Sequence, residues 1–329
     1  MKKLFIPVVS LLALGSLVGC STNDEPTDYS DLNIACPQGA PALALYDIYS
    51  NSNVEINQNA TEIAGYLSEL SNKDIVFAPT NLVTSDAMKN GAPYKLAAVV
   101  TSGNFFIAST GNDDNGTLDK TDKVVLFQKG GLPDRLFKYV YGNDFENLYY
   151  TNNAANANAS LISGKFSGET STFDVDYVLV AQPALTVGLK KAKETRPDKA
   201  DKIMVMNDVQ QDYYTKTGDA AITQASIFVR NTDDKTKLKK INKFLEDTSN
   251  RVNALLSNKD NLDVLTNLED LELQNNFGAP NLTILKKVVG ENSLGLCYKG
   301  AKSEKKAIDK FLMNLGFTDK ETNEDLYFD

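Results

Sequence analysis

The stretch Leu32-Asn-Ile-Ala-Cys-Pro-Gln-Gly-Ala-Pro-Ala-Leu-Ala-Leu-Tyr-Asp47 reads as a short buried strand, a tight turn and a helix start. Leu32, Ile34 and Cys36 alternate as a strand requires, Pro37 and Gly39 break the strand, and Pro41 stands where proline is favoured at a helix N-terminus. With no bulk at Gly39, Ala40 or Ala42, a small polar or anionic ligand can approach the backbone N–H groups of Gln38 to Ala40. Such a turn offers binding and no evident catalytic chemistry. An ordinary strand-to-helix connection in an α/β sheet fits this stretch alone equally well.

Further along, the same pattern returns. Lys73 to Ala78 is a buried strand ended by Pro79-Thr80-Asn81, with a helix from Leu82 for which Thr80 or Asn81 is an N-cap. Tyr94 to Ser109 is a long β-rich run interrupted at Thr101-Ser102-Gly103-Asn104. Gly111 to Asp122 resembles a calcium loop with Gly116 at its sixth position, but Gly111 at the first position has no ligand to give, so it is expected to be an exposed crossover without metal.

Lys123 to Phe127 ends in Gln128-Lys129-Gly130-Gly131, a third nest of backbone donors that is no P-loop, since no Gly-Lys-Ser/Thr follows. Asn147 to Tyr150 leads into Asn152-Asn153, and Val175 to Val180 is closed by Ala181-Gln182-Pro183. Ile203 to Met206 is the last strand of this block, Asp208 to Asp219 a return crossover, and Gln224 to Arg230 a strand rejoining the first sheet. Helical spacing then dominates over Asp234 to Leu256 and Ala301 to Leu315, with a short strand at Leu294 to Tyr298.

In an open parallel sheet, turns at the carboxyl ends of strands line one crevice. The expected ligand contacts are therefore Gln38, Gly39, Ala40, Thr80, Asn81 and Asn104 from one lobe, and Gln128, Gly130, Gly131, Asn153 and Gln182 from the other. The expected lobes are 32–110 with 219–329, and 111–218, hinged at Gly111 to Asp122 and Asp208 to Asp219.

The N-terminus is Met-Lys-Lys, an apolar run to Val18, then Gly19-Cys20 and a polar, acidic segment. Residues 1–19 read as an export signal and 20–31 as a tether; Leu17-Val18-Gly19-Cys20 resembles a bacterial lipobox, which makes Cys20 the expected lipidated residue, carrying palmitate-type acyl chains. Formal net charge is −9, from 43 acidic against 34 basic residues, which argues against nucleic acid as partner. Histidine is absent, removing the usual general base and Ser-His or Cys-His nucleophiles. Beyond Cys20 only Cys36 and Cys297 remain, either an exported disulfide or two buried thiols.

Together Pro37-Gln-Gly-Ala-Pro-Ala-Leu43, Asp74-Ile-Val-Phe-Ala-Pro-Thr-Asn-Leu82, Gly91 to Asn104, Gly130-Gly-Leu-Pro-Asp134, Leu161-Ile-Ser-Gly-Lys165 and Gln182-Pro183 resemble an extracytoplasmic solute-binding lipoprotein of an ABC importer, in the nitrate, alkylsulfonate and thiamine-precursor branch. The resemblance implies a periplasmic-binding-protein-like α/β fold, two doubly wound lobes joined by two crossovers and closing on a small planar or anionic solute. It implies a monomer without cofactor or catalysis, serving an ABC permease and its ATPase and anchored by its lipid outside the cytoplasmic membrane. Gln182 departs from the pattern, standing where many relatives carry an acidic residue. The alternatives are a precursor-synthase-like enzyme on the same fold, for which Lys129 is the one lysine in a site-like setting, and a non-transport surface lipoprotein.

Overall fold

The computed structural model describes residues 28–57, 60–91, 93–113, 115–218 and 222–329. The export signal, Cys20 and most of the tether lie outside these residues. In chain order the elements are β1 (Ile34–Pro37), β2 (Val54–Asn57), α1 (Ala60–Gly65), β3 (Ile75–Pro79), α2 (Asp86–Lys89), β4 (Tyr94–Thr101) and β5 (Phe105–Ser109). Next come β6 (Lys123–Phe127), α3 (Leu132–Tyr141), β7 (Asn147–Thr151), α4 (Ala154–Ser163), the hairpin β8 (Lys165–Ser167) and β9 (Thr172–Asp174), β10 (Tyr177–Ala181), α5 (Ala184–Thr195), β11 (Val205–Asp208) and α6 (Val209–Thr217). The chain closes with β12 (Ala225–Arg230), α7 (Lys235–Ser257), α8 (Asp270–Phe277), α9 (Leu282–Gly290), β13 (Leu296–Gly300) and α10 (Lys305–Asn314).

Two sheets organise these elements. One is six-stranded in the order β13-β4-β12-β3-β1-β2, the other five-stranded in the order β11-β5-β10-β6-β7. β1 is parallel to β2 and β3, and β6 is parallel to β7 and β10, as helical crossovers demand. Both faces of the first sheet are covered at its centre, so β3 there is apolar on both sides: Ile75 and Phe77 face one core cluster, Val76 and Ala78 the other. α7 supplies Ile241, Phe244, Val252 and Leu255 to the first of these. The second cluster runs on through the other sheet, joining Phe228 and Leu96 with Val124, Tyr177, Tyr213 and Phe311.

The long β-rich run from Tyr94 is two strands of different sheets. β4 pairs with β12 and β13, whereas β5 pairs antiparallel with β10 and β11. The chain therefore leaves the first lobe at 102–104, where the sequence reading had kept it to residue 110, and returns just before β12. Gly103 fits this crossing because its backbone turns through φ +100, which strains any residue with a side chain. Of the expected hinge segments, Gly111 to Asp122 joins β5 to β6 within the second sheet, and Asp208 to Asp219, described as far as Gly218, contains α6, which packs on β5 and α3.

Cys36 and Cys297 are both free. Of the two alternatives for this pair, the disulfide fails on strand order, since β13 lies four places from β1 and four spacings of about 4.8 Å put them roughly 19 Å apart. A disulfide needs Cα atoms within about 7 Å.

Candidate functional site

The carboxyl ends of β1, β2 and β3 lie on one side of the first sheet, and those of β6, β7 and β10 on one side of the second. β12 runs against β3 and begins beside Pro79 and Thr101, so the two crossings lie at this same edge. The turns at 38–40, 80–81, 128–131, 152–153 and 182–183 therefore all follow strand carboxyl ends. At the mouth the lobes touch. Gly278, which ends α8 at φ +73, is so close that a Cβ would stand 3.5 Å from Pro183 Cγ and 3.6 Å from Gly39 Cα.

Most of the expected donors, however, are already used by the chain itself. The Gln38 N–H donates to Asn57 O at 2.9 Å and the Gly39 N–H to Asn276 O at 3.1 Å. Gln38 also gives its side-chain amide to the Gln274 carbonyl, while Ala40 is buried in the core. Gly39 has φ 103 and ψ −145, a conformation only glycine adopts readily. Thr80 is fully buried: its N–H donates to Gln224 O at 3.1 Å and its hydroxyl lies 2.7 Å from Ser226 Oγ.

In the other lobe, Gln128 N–H donates to Thr151 O at 3.0 Å and Gly131 N–H to Gln128 O at 2.7 Å. The Gly130 N–H donates to Asp134 Oδ2 at 2.7 Å. Asp134 is buried at the start of α3, accepts from Tyr150 Oη at 3.0 Å and pairs with Lys138 at 2.9 Å. The donor nest expected at this turn is thus filled by the chain's own carboxylate. Burial pushes the Tyr150 phenol up, which keeps it a donor. Lys129 is exposed, 5.3 Å from the Tyr150 ring centroid, and so lacks the buried setting that a Schiff-base lysine needs.

Asn153 caps α4, accepting from the Asn156 N–H at 2.9 Å. Gln182 turns its side-chain oxygen to the Thr186 hydroxyl at 2.9 Å, in the first turn of α5. Asn104 is buried and joins both lobes: its side chain donates to Gln182 O at 3.0 Å and accepts from Gln224 Nε2 at 2.8 Å. The reason is general, since buried backbone donors must be paired and short turns carry their own acceptors.

Three side-chain oxygens near the crossings stay unpaired among the described residues while buried: Asn81 Oδ1, Thr223 Oγ1 and Gln224 Oε1. Of these, the sequence singled out only Asn81. Ile222-Thr-Gln224, a polar step directly before an apolar strand at the return crossing, was the available signal. Asp113 accepts from Asn115 and Gly116 N–H groups at 3.2 and 2.7 Å and from Tyr177 Oη at 2.6 Å, so its loop is held by its own bonds. No helix among the described residues is long and apolar enough to cross a membrane.

No protein-family model matches the chain, and no curated protein matches it. Solved structures do. An ABC transporter from Parabacteroides distasonis superposes with a TM-score of 0.64 at 15% identity, covering 91% of this chain and 98% of that one. The periplasmic aliphatic sulphonate binding protein SsuA from Escherichia coli gives 0.57 at 16%, covering 90% of each. A conserved Candida albicans gene product, described as exhibiting the generic periplasmic binding protein structural fold, gives 0.53 at 11%, covering 89% and 92%. The chain has the periplasmic binding protein fold.

In a periplasmic binding protein fold the facing strand ends form the crevice between the lobes, and here Gly278 and Pro183 meet across it. Two hollows elsewhere lie away from these turns. One, of about 610 Å³, is lined by Lys89 and residues 316–320; the other, of about 760 Å³, lies between the end of α7 and α9.

Proposed function

We propose that the chain is the extracytoplasmic, lipid-anchored solute-binding component of an ABC importer, a monomer that captures a small solute between its lobes and delivers it to a permease and its ATPase. The observation that carries this reading is the approach of Gly39, Gly278 and Pro183 from opposite lobes, around strand-end turns and beside two crossing segments. That arrangement suits capture by closure, with 102–104 and 222–224 as the hinge, driven by whatever affinity the solute has for the closed state over the open one. Asp134 in the Gly130 turn and the neutral amides at the crossings favour a planar, hydrogen-bonding solute over an anion.

A thermal-shift screen of pyrimidines, sulfonates, oxyanions and amino acids on the purified protein tests the binding reading. A saturable rise in Tm with one class is the expected result, and a flat response to all classes counts against it. Cys20→Ser tests the anchor, because acyl chains hold the mature protein at the membrane and their loss should release it.

A further inference from the structure

The orientations of the Asn104 and Gln224 amides are dictated by their partners, and they say what kind of group the free end of Gln224 is left to meet. Gln182 O is a backbone carbonyl and accepts only, so the end of Asn104 that lies 3.0 Å from it is the N–H₂. Asn104 Oδ1 is thereby turned to Gln224, which must answer with its own N–H₂, at 2.8 Å. The end of Gln224 that remains is Oε1, an acceptor, buried and without a hydrogen bond among the described residues. Asn81 follows Thr80, whose N–H donates to the Gln224 carbonyl at 3.1 Å, and it too holds a buried, unbonded Oδ1. A carbonyl oxygen buried without a donor is costly, and a donor arriving with the ligand removes that cost.

Resting on the reading of the cleft as the binding site, we propose that Asn81 Oδ1 and Gln224 Oε1 receive N–H groups of the solute. The solute class is then a planar nitrogen compound with several N–H donors, such as an amidine, a guanidine or an amino-substituted heterocycle. Nitrate, sulfonates and carboxylates offer only acceptors, and two carbonyl oxygens repel them.

The test uses probes of one shape and opposite hydrogen-bond polarity on the full chain purified in detergent: acetamidinium against acetate, benzamidinium against benzoate, and guanidinium against nitrate. Affinity is read by calorimetry and by Tm. The amidinium or guanidinium member of at least one pair should bind about tenfold or more tighter than its anion. Gln224→Met and Asn81→Leu should each weaken that binding about tenfold, and Asn81→Asp should tighten it. Tighter binding of an anion, lost in Gln224→Met, would overturn the donor class while leaving the cleft as the site. Amidinium binding unchanged in all three variants would overturn the assignment of these two oxygens. A folded protein that binds no member of any pair would overturn the proposal; the binding reading falls with it only where the wider solute screen is flat as well.

Discussion

Asn104 and Gln182 are joined by a pair of hydrogen bonds, the Gln182 N–H donating to Asn104 O at 3.0 Å and the Asn104 side chain donating to Gln182 O at 3.0 Å. Since Asn104 Oδ1 also accepts from Gln224, this one residue ties the start of β5, the end of β10 and the approach to β12. Asn104→Ala leaves a buried carbonyl and a buried amide without partners, and is expected to cost about 2–4 kcal/mol. Urea unfolding reads this as a lower midpoint at unchanged slope. A variant as stable as the parent would show that the tie is incidental.

Asp134 makes a prediction of a different kind, because it stands at the nest of backbone donors where a planar or anionic solute was expected. Asp134→Ala strips the Gly130 N–H and Tyr150 Oη of their acceptor and Lys138 of its counter-ion, and should cost about 2–4 kcal/mol. The emptied seat should then admit sulfate. The variant's Tm should rise with millimolar sulfate in a saturable way, and the parent's should not; equal responses would sink the idea that the carboxylate fills an anion seat.

The two cysteines are expected to titrate as two free thiols in denatured, unreduced protein lacking Cys20. In the native state both should react slowly with alkylating reagents at pH 8. Burial pushes the Cys36 thiol well up, and burial pushes Cys297 up to about 11, so little thiolate is present. Fast native alkylation of Cys297 would contradict its placement in β13.

How much of this was legible in the sequence depended on period and position. Ile34 to Cys36 and Ile75 to Ala78 are short apolar runs ended by proline or glycine, so the parallel strands and the turns after them were readable. The break between β4 and β5 was not, because Thr101-Ser102-Gly103-Asn104 looks like a polar interruption in one strand; only the pairing of Phe105 to Ser109 with β10 shows a change of sheet. Nor does a sequence say whether a turn's N–H groups are free. Asn57, Asn276, Thr151 and Asp134, which occupy them, are distant or on the next helix turn. The choice between a disulfide and two thiols at Cys36 and Cys297 was open in the sequence for the same reason, since strand order is a long-range property.

Acid should destabilise the protein through carboxylates held by partners. Burial alone would raise Glu55, but its bonds to Lys73 and Tyr66 outweigh it, and the pKa lies below the usual value; in Asp247 bonds from Lys243 and Tyr29 likewise outweigh burial. A depressed folded-state pKa contributes stability that is complete above the unfolded-state value, about 4, and is lost as pH falls through the folded one. Stability should therefore fall steadily below about pH 4.5, and the acid limb should be shallower in Glu55→Gln. An unchanged limb in that variant would remove Glu55 from the account.

The last prediction concerns the C-terminal helix, which follows the edge strand of the first lobe yet packs on the second. Phe311 of α10 meets Tyr213 of α6 at a centroid distance of 5.8 Å, and the Asn314 side chain donates to Tyr213 Oη at 3.1 Å. Arg135 of α3 donates to the Leu315 and Gly316 carbonyls, with its guanidinium 4.5 Å from the Phe317 ring centroid. Because these contacts make one apolar cluster run through both lobes, the protein should unfold in a single transition. Phe311→Ala removes a fully buried ring at the junction, should cost about 3–5 kcal/mol, and should separate the lobes into two transitions. Arg135→Ala, at the rim, should cost about 1–3 kcal/mol and leave unfolding cooperative. Calorimetry distinguishes the two, and a single transition in Phe311→Ala at the parent's Tm would mean that α10 does not couple the lobes.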